Sequence, residues 1–217
     1  FEHWKAERFR WYTDLGIRYL MVTGSWGSAI YENGYIDTAL ARIKQYPVAS
    51  IAAIEGVNEY DNSKRTGWVQ ELRDYTRDLY AAVKSDPVLK NTPVVGPTLA
   101  KGVYGQVGDL SAWVDYGALH WYPGGKEVTH REFDYFDWHR ANAQNSMYPG
   151  KKLWLTETGY NNAINTTGHG PLSERTEAKY LPRAFLWYLY DRGIDKVFSY
   201  EFIDERADAG RTDAEMN

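Results

Sequence analysis

Segments with the apolar spacing of amphipathic helices alternate with short, uninterrupted apolar segments along nearly the whole chain. Strands that are apolar on both faces and separated by helices are typical of a parallel sheet covered by helices. The sequence therefore predicts an α/β fold. The apolar segments predict six strands, at residues 17–24, 48–57, 92–100, 118–122, 152–159 and 196–202.

The helical segments leave two architectures open, a doubly wound sheet and a (β/α)8 TIM barrel. No glycine-rich phosphate loop follows any strand, which argues against a nucleotide-binding doubly wound sheet. Polar and aromatic residues stand where strands end, and barrel enzymes build their sites at that rim, so we favour the barrel. The helices are predicted at residues 3–16, 35–47, 66–87, 107–117, 131–145 and 173–193, the last with a kink at Pro182.

Composition excludes several classes of protein. The chain has 217 residues, of which 43% are hydrophobic, and this suffices for one sizeable core and a single domain over residues 1–217. A net charge of −4 gives no attraction for nucleic acid, and no apolar run is long enough for membrane insertion. Cysteine is absent, and no set of His, Asp and Glu has metal-ligand spacing, so we predict no metal and no other cofactor.

Aromatic residues are abundant, with 9 Trp and 18 Tyr in the chain. Aromatic faces pack against the C–H faces of sugars, although an aromatic core with surface tyrosines accounts for the same composition. Trp26 and Trp121 stand near strand ends and are candidate sugar platforms.

Glu59 and Glu157 each follow an apolar strand, and two strand–helix units separate them. In a barrel such positions face each other across the mouth, where a protonated carboxyl and a carboxylate can hydrolyse a glycosidic bond. Either glutamate alone is more often a helix cap, an ion-pair partner or a solvated loop residue. Glu55 is a further candidate, because the strand register decides whether Glu55 or Glu59 points inward. Asn58, beside Glu59, and His120 and Tyr122, at an intervening strand end, are candidate supporting residues.

Four segments, EGVNEYD, ALHWYPGG, LWLTETGYNN and FSYEFIDE, resemble the clan A retaining glycoside hydrolases of the cellulase-like superfamily. The resemblance implies that Glu59 is the acid/base, that Glu157 is the nucleophile and that Asn58 binds the 2-hydroxyl of the sugar. It implies that His120 and Tyr122 support the nucleophile. Many members place a Trp under the sugar on strand 8, where this chain has Tyr200 and Glu201. The expected substrate-binding residues are Asn58, His120, Tyr122, Trp26, Trp121, Tyr160, Tyr200 and Glu201.

In the register of this resemblance, Glu59 ends strand 4, and only one predicted strand precedes it. We therefore expect an incomplete barrel, with strands 3 to 8 present and strands 1 and 2 and the final helix missing. A complete barrel typically needs about 250 residues. The chain is expected to be a fragment of a longer catalytic domain and can be inactive by itself.

Three functions follow as hypotheses. The first is hydrolysis of a β-linked oligo- or polysaccharide by a retaining double displacement, in a secreted or extracellular protein. The second is a barrel that binds glycans without cleaving them, although such a protein has no need of two glutamates. The third is an α/β enzyme that uses carboxylates for proton transfer, which would favour a phosphate-binding glycine loop after strand 7 or 8.

Overall fold

The computed structural model of the protein describes residues 11–129, 134–162 and 170–200. Strands and helices alternate along these residues, as the sequence predicts. In chain order they are β1 (Tyr19–Val22), α1 (Tyr35–Ile43), β2 (Ile51–Glu55), α2 (Trp68–Ser85), β3 (Val94–Val95), α3 (Tyr104–Val107), β4 (Gly117–His120), α4 (Asp134–Asn142), β5 (Leu153–Thr158), α5 (Glu174–Leu186) and β6 (Lys196–Ser199).

The chain divides into two compact units. Residues 1–118 and 142–151 form the first unit, and residues 119–141 and 152–217 form the second. The division passes through β4.

The first unit contains a three-stranded parallel sheet in the order β1–β2–β3. Central strand β2 is buried on both faces, and Ala53 and Ile54 have no exposed surface. Glu55 pairs with Val22 on one side and with Val95 on the other. The two neighbours satisfy the backbone of β2, so its C-terminal end is held at a fixed position.

Helix α2 covers this unit with one apolar face. Its buried residues recur every three or four positions, which is the spacing that predicted the helix. The helix ends at Ser85 because Pro87 disfavours helical backbone at Asp86, which is extended with ψ 124°. The buried residues of α2 are Leu72, Tyr75, Thr76, Leu79 and Val83.

The second sheet has the order β4–β5–β6, with β5 and β6 parallel. Five of the six residues of β5 are buried. Helix α5 begins after Ser173, whose hydroxyl oxygen accepts the N–H of Thr176 at 3.2 Å. Pro182 lies inside α5, which continues into a π-helical turn at Trp187–Asp191. The kink at Pro182 stays a prediction.

All six predicted strands are present in the described residues, each shorter than its apolar segment. The helix predicted over residues 107–117 is wrong. Helix α3 ends at Val107, where the predicted helix begins, and Gly108 follows with φ 71° and ψ −171°. A short 3₁₀ turn then forms at Ser111–Trp113. The Asp109 carboxylate accepts the N–H of Ser111 at 2.7 Å and so begins a new turn rather than continuing the helix.

Two other predicted segments extend beyond the described residues. The helix predicted at residues 3–16 is helical over residues 11–14, and its earlier residues lie outside the described part. The strand predicted at residues 196–202 is observed from Lys196 to Ser199. Glu201 lies outside the described residues.

Strand pairing among the described residues gives two three-stranded sheets rather than one continuous sheet of six strands. Within the first unit, Val95 also forms an isolated parallel bridge with Tyr116, just before β4. The incomplete barrel and the single catalytic domain stay predictions. None of the described helices combines the length and the apolar character needed to cross a bilayer.

We predict that Gly96→Ala destabilises the protein, because a Cβ at Gly96 would collide with the ring of the fully buried Tyr148. Overpacking of this kind lowers the free energy of unfolding by about 1–3 kcal/mol. Gly105→Ala is the matched control, since residue 105 is an exposed helical position with nothing within 4 Å of an added Cβ. Urea unfolding of the two variants compares them, and equal stabilities would contradict the packing of Tyr148 against Gly96.

Candidate functional site

The turn after β2 places Asn58 and Glu59. The N–H of Asn58 donates to the carbonyl of Gly24 at 2.9 Å, and a parallel bridge joins Asn58 to Ser25. The β1–β2 pairing thus resumes at Asn58, beyond the regular strands. We call residues 58–62 the glutamate turn.

Glu59 has left-handed backbone, with φ 48° and ψ 44°. This conformation costs a residue with a side chain about 1–2 kcal/mol, because its Cβ approaches the following carbonyl oxygen. Strained residues of this kind cluster at functional sites, where the surrounding contacts hold them.

Thr98, in the loop after β3, bonds to both residues of the Asn-Glu pair. Its hydroxyl donates to Asn58 Oδ1 at 3.3 Å and accepts the N–H of Glu59 at 3.4 Å. Thr98 is buried, with 1% of its surface exposed. Sequence reasoning missed this residue. Its position at the end of an apolar strand, which drew attention to Glu59, was an available signal.

Tyr60 anchors the glutamate turn on its other side. The Tyr60 side chain is fully buried, and its hydroxyl donates to Glu71 Oε2 at 2.7 Å. The Arg65 guanidinium holds the same carboxylate through two nitrogens and lies 3.7 Å from the ring centroid of Tyr31. The hydrogen bonds from Arg65, more than the one from Tyr60, keep the pKa of Glu71 below its ordinary value against the opposing effect of burial. Burial and the Glu71 carboxylate raise the pKa of Tyr60, which keeps its hydroxyl a donor.

The second unit places Glu157 beside two residues of the β4 end. Tyr122 Oη donates to Glu157 Oε2 at 2.7 Å, and His120 Nδ1 lies 3.5 Å from the same oxygen. The N–H of Trp121 donates to the backbone carbonyl of Glu157 at 3.1 Å. We call His120, Tyr122 and Glu157 the Glu157 triad.

The three residues of the Glu157 triad differ in how much of their surface is exposed to solvent. The side chain of His120 is 4% exposed, that of Glu157 is 25% exposed, and Tyr122 is 42% exposed. A short hydrogen bond from a neutral hydroxyl stabilises a carboxylate and fixes its direction. The triad therefore presents a partly exposed, oriented carboxylate, and the role of Glu157 in catalysis stays a prediction.

The remaining predicted sugar contacts have differing environments. Trp26, in the first unit, is 54% exposed. Trp121 packs edge-to-face on Phe136, with ring centroids 5.9 Å apart.

Tyr160 is buried, and its hydroxyl donates to the carbonyl of Lys126 at 3.1 Å. Tyr200 is 43% exposed and bonds through its N–H to the carbonyl of Thr158. Their roles in sugar binding stay predictions, as does that of Glu201.

Glu55, the alternative to Glu59, lies at the end of β2 with 2% of its surface exposed. Its backbone carbonyl accepts the N–H and the hydroxyl of Thr23, at 3.1 Å and 2.9 Å. Glu59 is more exposed than Glu55. Glu55 is therefore the more buried of the two, and Glu59 is the more accessible to a ligand.

No protein-family model matches the chain, and no curated protein matches its sequence. Solved structures do match it. The family 17 β-1,3-glucanosyltransferase of Rhizomucor miehei aligns with a TM-score of 0.61 at 17% identity, over 91% of this chain and 70% of that one. A GH128 endo-β-1,3-glucanase of Amycolatopsis mediterranei, solved with laminaritriose, aligns with a TM-score of 0.56 at 15% identity, over 86% of this chain and 72% of that one.

The likeness extends to larger glycosidases. The β-glucuronidase of Bacteroides uniformis aligns with a TM-score of 0.59 at 16% identity, over 85% of this chain but only 24% of that one. At such identities the likeness shows the fold, which is that of glycoside hydrolases.

We predict that Glu71→Gln lowers the free energy of unfolding near neutral pH and that this loss shrinks in acid. The pKa of Glu71 is lower in the folded protein than its ordinary value of 4.5. Its stabilising contribution is therefore present above the unfolded-state pKa and lost as the pH falls through the folded-state pKa. Urea unfolding of wild type and variant at about pH 7 and about pH 3 measures the difference. Glu32→Gln, at an exposed position, is the control. A difference independent of pH would contradict the ion pair with Arg65.

Proposed function

We propose that the protein acts on a β-linked glycan as a retaining glycosidase of the clan A type. In this proposal the chain carries strands 3 to 8 of a (β/α)8 barrel. Glu157 is the nucleophile and Glu59 the acid/base, and both act on one glycosidic bond.

The environment of Glu157 is the observation that carries the proposal. A carboxylate attacks an anomeric carbon well only when one of its oxygens is free and its direction is fixed. The described contacts of the Glu157 triad converge on Oε2, and the carboxylate is partly exposed. An ion-pair glutamate would instead have an Arg or Lys partner, and no such ion pair of Glu157 occurs among the described residues.

The first step forms a bond between a Glu157 oxygen and the anomeric carbon. The bond from that carbon to the leaving oxygen breaks, and the leaving oxygen takes a proton from Glu59. Asn58 binds the 2-hydroxyl of the same sugar. In the second step Glu59 removes a proton from the acceptor, whose oxygen bonds to the anomeric carbon while the ester to Glu157 breaks.

The acceptor decides between hydrolysis and transfer. Water gives hydrolysis, and a sugar hydroxyl gives transfer to a second glycan. The structural neighbours include a glucanase and a glucanosyltransferase, and both reactions use the same two carboxylates in this scheme.

We propose laminari-oligosaccharides, which are β-1,3-linked, as the first substrates to test, because a structural neighbour was solved with laminaritriose. Trp26, Trp121, Tyr160, Tyr200 and Glu201 are the proposed further sugar contacts. A polymeric substrate of this kind fits an extracellular location.

We predict that Glu59→Gln lowers kcat on laminari-oligosaccharides by about 10²–10⁴-fold, the usual contribution of general acid–base catalysis. The first step on an aryl glycoside with an activated leaving group needs no proton and should be much less affected. Initial rates with both substrates, including the burst of released phenol, measure the contrast. Glu174→Gln, at an exposed position, is the control and should match wild type on both.

Two results would contradict the proposal. Equal losses on both substrates would show that Glu59 is not the acid. Oligosaccharide binding by calorimetry with no cleavage or transfer by the wild type would favour the non-catalytic glycan-binding barrel.

A further inference from the structure

We propose that Asp61 is a positioning residue that holds the left-handed backbone of Glu59 and so directs the Glu59 carboxyl. This inference rests on the proposed function of Glu59, but its structural part can be tested without turnover.

Asp61 joins the glutamate turn to the loop after β3. Its carboxylate accepts two backbone N–H groups of that loop, from Ala100 at 3.0 Å on Oδ1 and from Lys101 at 2.8 Å on Oδ2. The ammonium of Lys101 donates to the backbone carbonyl of Asp61 at 2.8 Å. Asp61 is 6% exposed, so these bonds are shielded from competing water.

The same loop also contacts Glu59 directly. Thr98 accepts the N–H of Glu59, and Ala100 and Lys101 bind the side chain two residues further on. One segment of four residues, 98–101, thus binds both the N–H of Glu59 and the side chain of Asp61. Such a template can maintain a backbone conformation that Glu59 would rarely adopt by itself.

The turn's own hydrogen bonds do not replace this template. The N–H of Asn62 donates to the carbonyl of Glu59 at 2.9 Å, and the N–H of Ser63 donates to the carbonyl of Tyr60 at 3.0 Å. These bonds close the turn but do not attach it to the loop after β3. The Asp61 carboxylate supplies two of the bonds that attach the turn to that loop, and the others come from Thr98 and from the Lys101 ammonium.

The chemistry of the side chain makes Asp61→Asn a sharp test. Two N–H donors approach two different oxygens, and a carboxylate accepts both. Asparagine has nearly the same shape but only one acceptor oxygen, and its NH₂ group would face the second donor. The variant keeps the packing and loses one of the two hydrogen bonds to the loop after β3.

We expect Asp61→Asn to lower kcat on laminari-oligosaccharides by about 10–100-fold, since small misplacement of a catalytic group has effects of this size. KM should change by less than about threefold, because the substrate contacts remain. The loss should be much smaller on a substrate with an activated leaving group. In the Glu59→Gln background, Asp61→Asn should lower kcat by less than about threefold, because the carboxyl that Asp61 positions is already absent.

Asp115→Asn is the matched control. The Asp115 carboxylate also accepts a backbone N–H in the same unit, from Val94 at 2.7 Å, together with the ammonium of Lys84. Asp115 precedes β4, and its carboxylate contacts the start of β3 rather than the loop after β3. This variant should lose stability and keep the wild-type kcat ratio between the two substrates.

Amide hydrogen exchange tests the attachment without turnover. The N–H of Asn62, which bonds to the carbonyl of Glu59, should exchange at least about tenfold faster in Asp61→Asn than in Asp115→Asn at matched global stability. Unchanged exchange would overturn the inference, and so would kinetic losses that are additive with Glu59→Gln. A wild-type protein without glycosidase activity would refute the proposed function alone, and the exchange result would still decide whether Asp61 holds the turn.

Discussion

Burial of the strands on both faces determines where this protein can carry chemistry. Strands β2, β4 and β5 are almost completely buried, so their interior positions are taken by apolar or hydrogen-bonded side chains. Charged groups that must meet a ligand are accommodated where the strands end. Glu59 follows β2, and Glu157 lies near the end of β5. The strands fix the backbone there, and the loops orient the side chains.

The two glutamates are held by different means. Glu157 is in regular strand backbone, and side chains orient it through Tyr122 and His120. Glu59 is in left-handed backbone, and its conformation is fixed mainly by bonds to the loop after β3. In the proposed mechanism Glu157 needs a constant direction of attack, whereas Glu59 must exchange its proton within each cycle. The Glu59 carboxylate also accepts the side-chain N–H of Asn62 at 3.4 Å, on Oε2.

Much of the fold can be predicted from the sequence, and the reasons are local. Apolar runs predict all six strands, and the three- and four-residue spacing predicts the buried face of α2. The prediction failed at residues 107–117, where Gly108 and Asp109 favour a turn more strongly than the apolar spacing favours a helix.

The candidate site is predictable only in part. Glu157, Tyr122 and His120 follow from their positions at strand ends, and the structure brings them together. The roles of Thr98 and Asp61 depend on contacts between residues about forty positions apart, which no local pattern encodes. Fold likeness at 15–17% identity does not supply them either, because function depends on the site rather than on the fold.

The measurement that tests the central claim most directly is the anomeric configuration of the first product released from a β-linked substrate, followed by proton NMR before mutarotation. Double displacement through Glu157 predicts that the β-anomer appears first and that the α-anomer follows only by mutarotation. Initial release of the α-anomer would show a single displacement by water. Glu157 would then not be a nucleophile, and the retaining mechanism would be wrong.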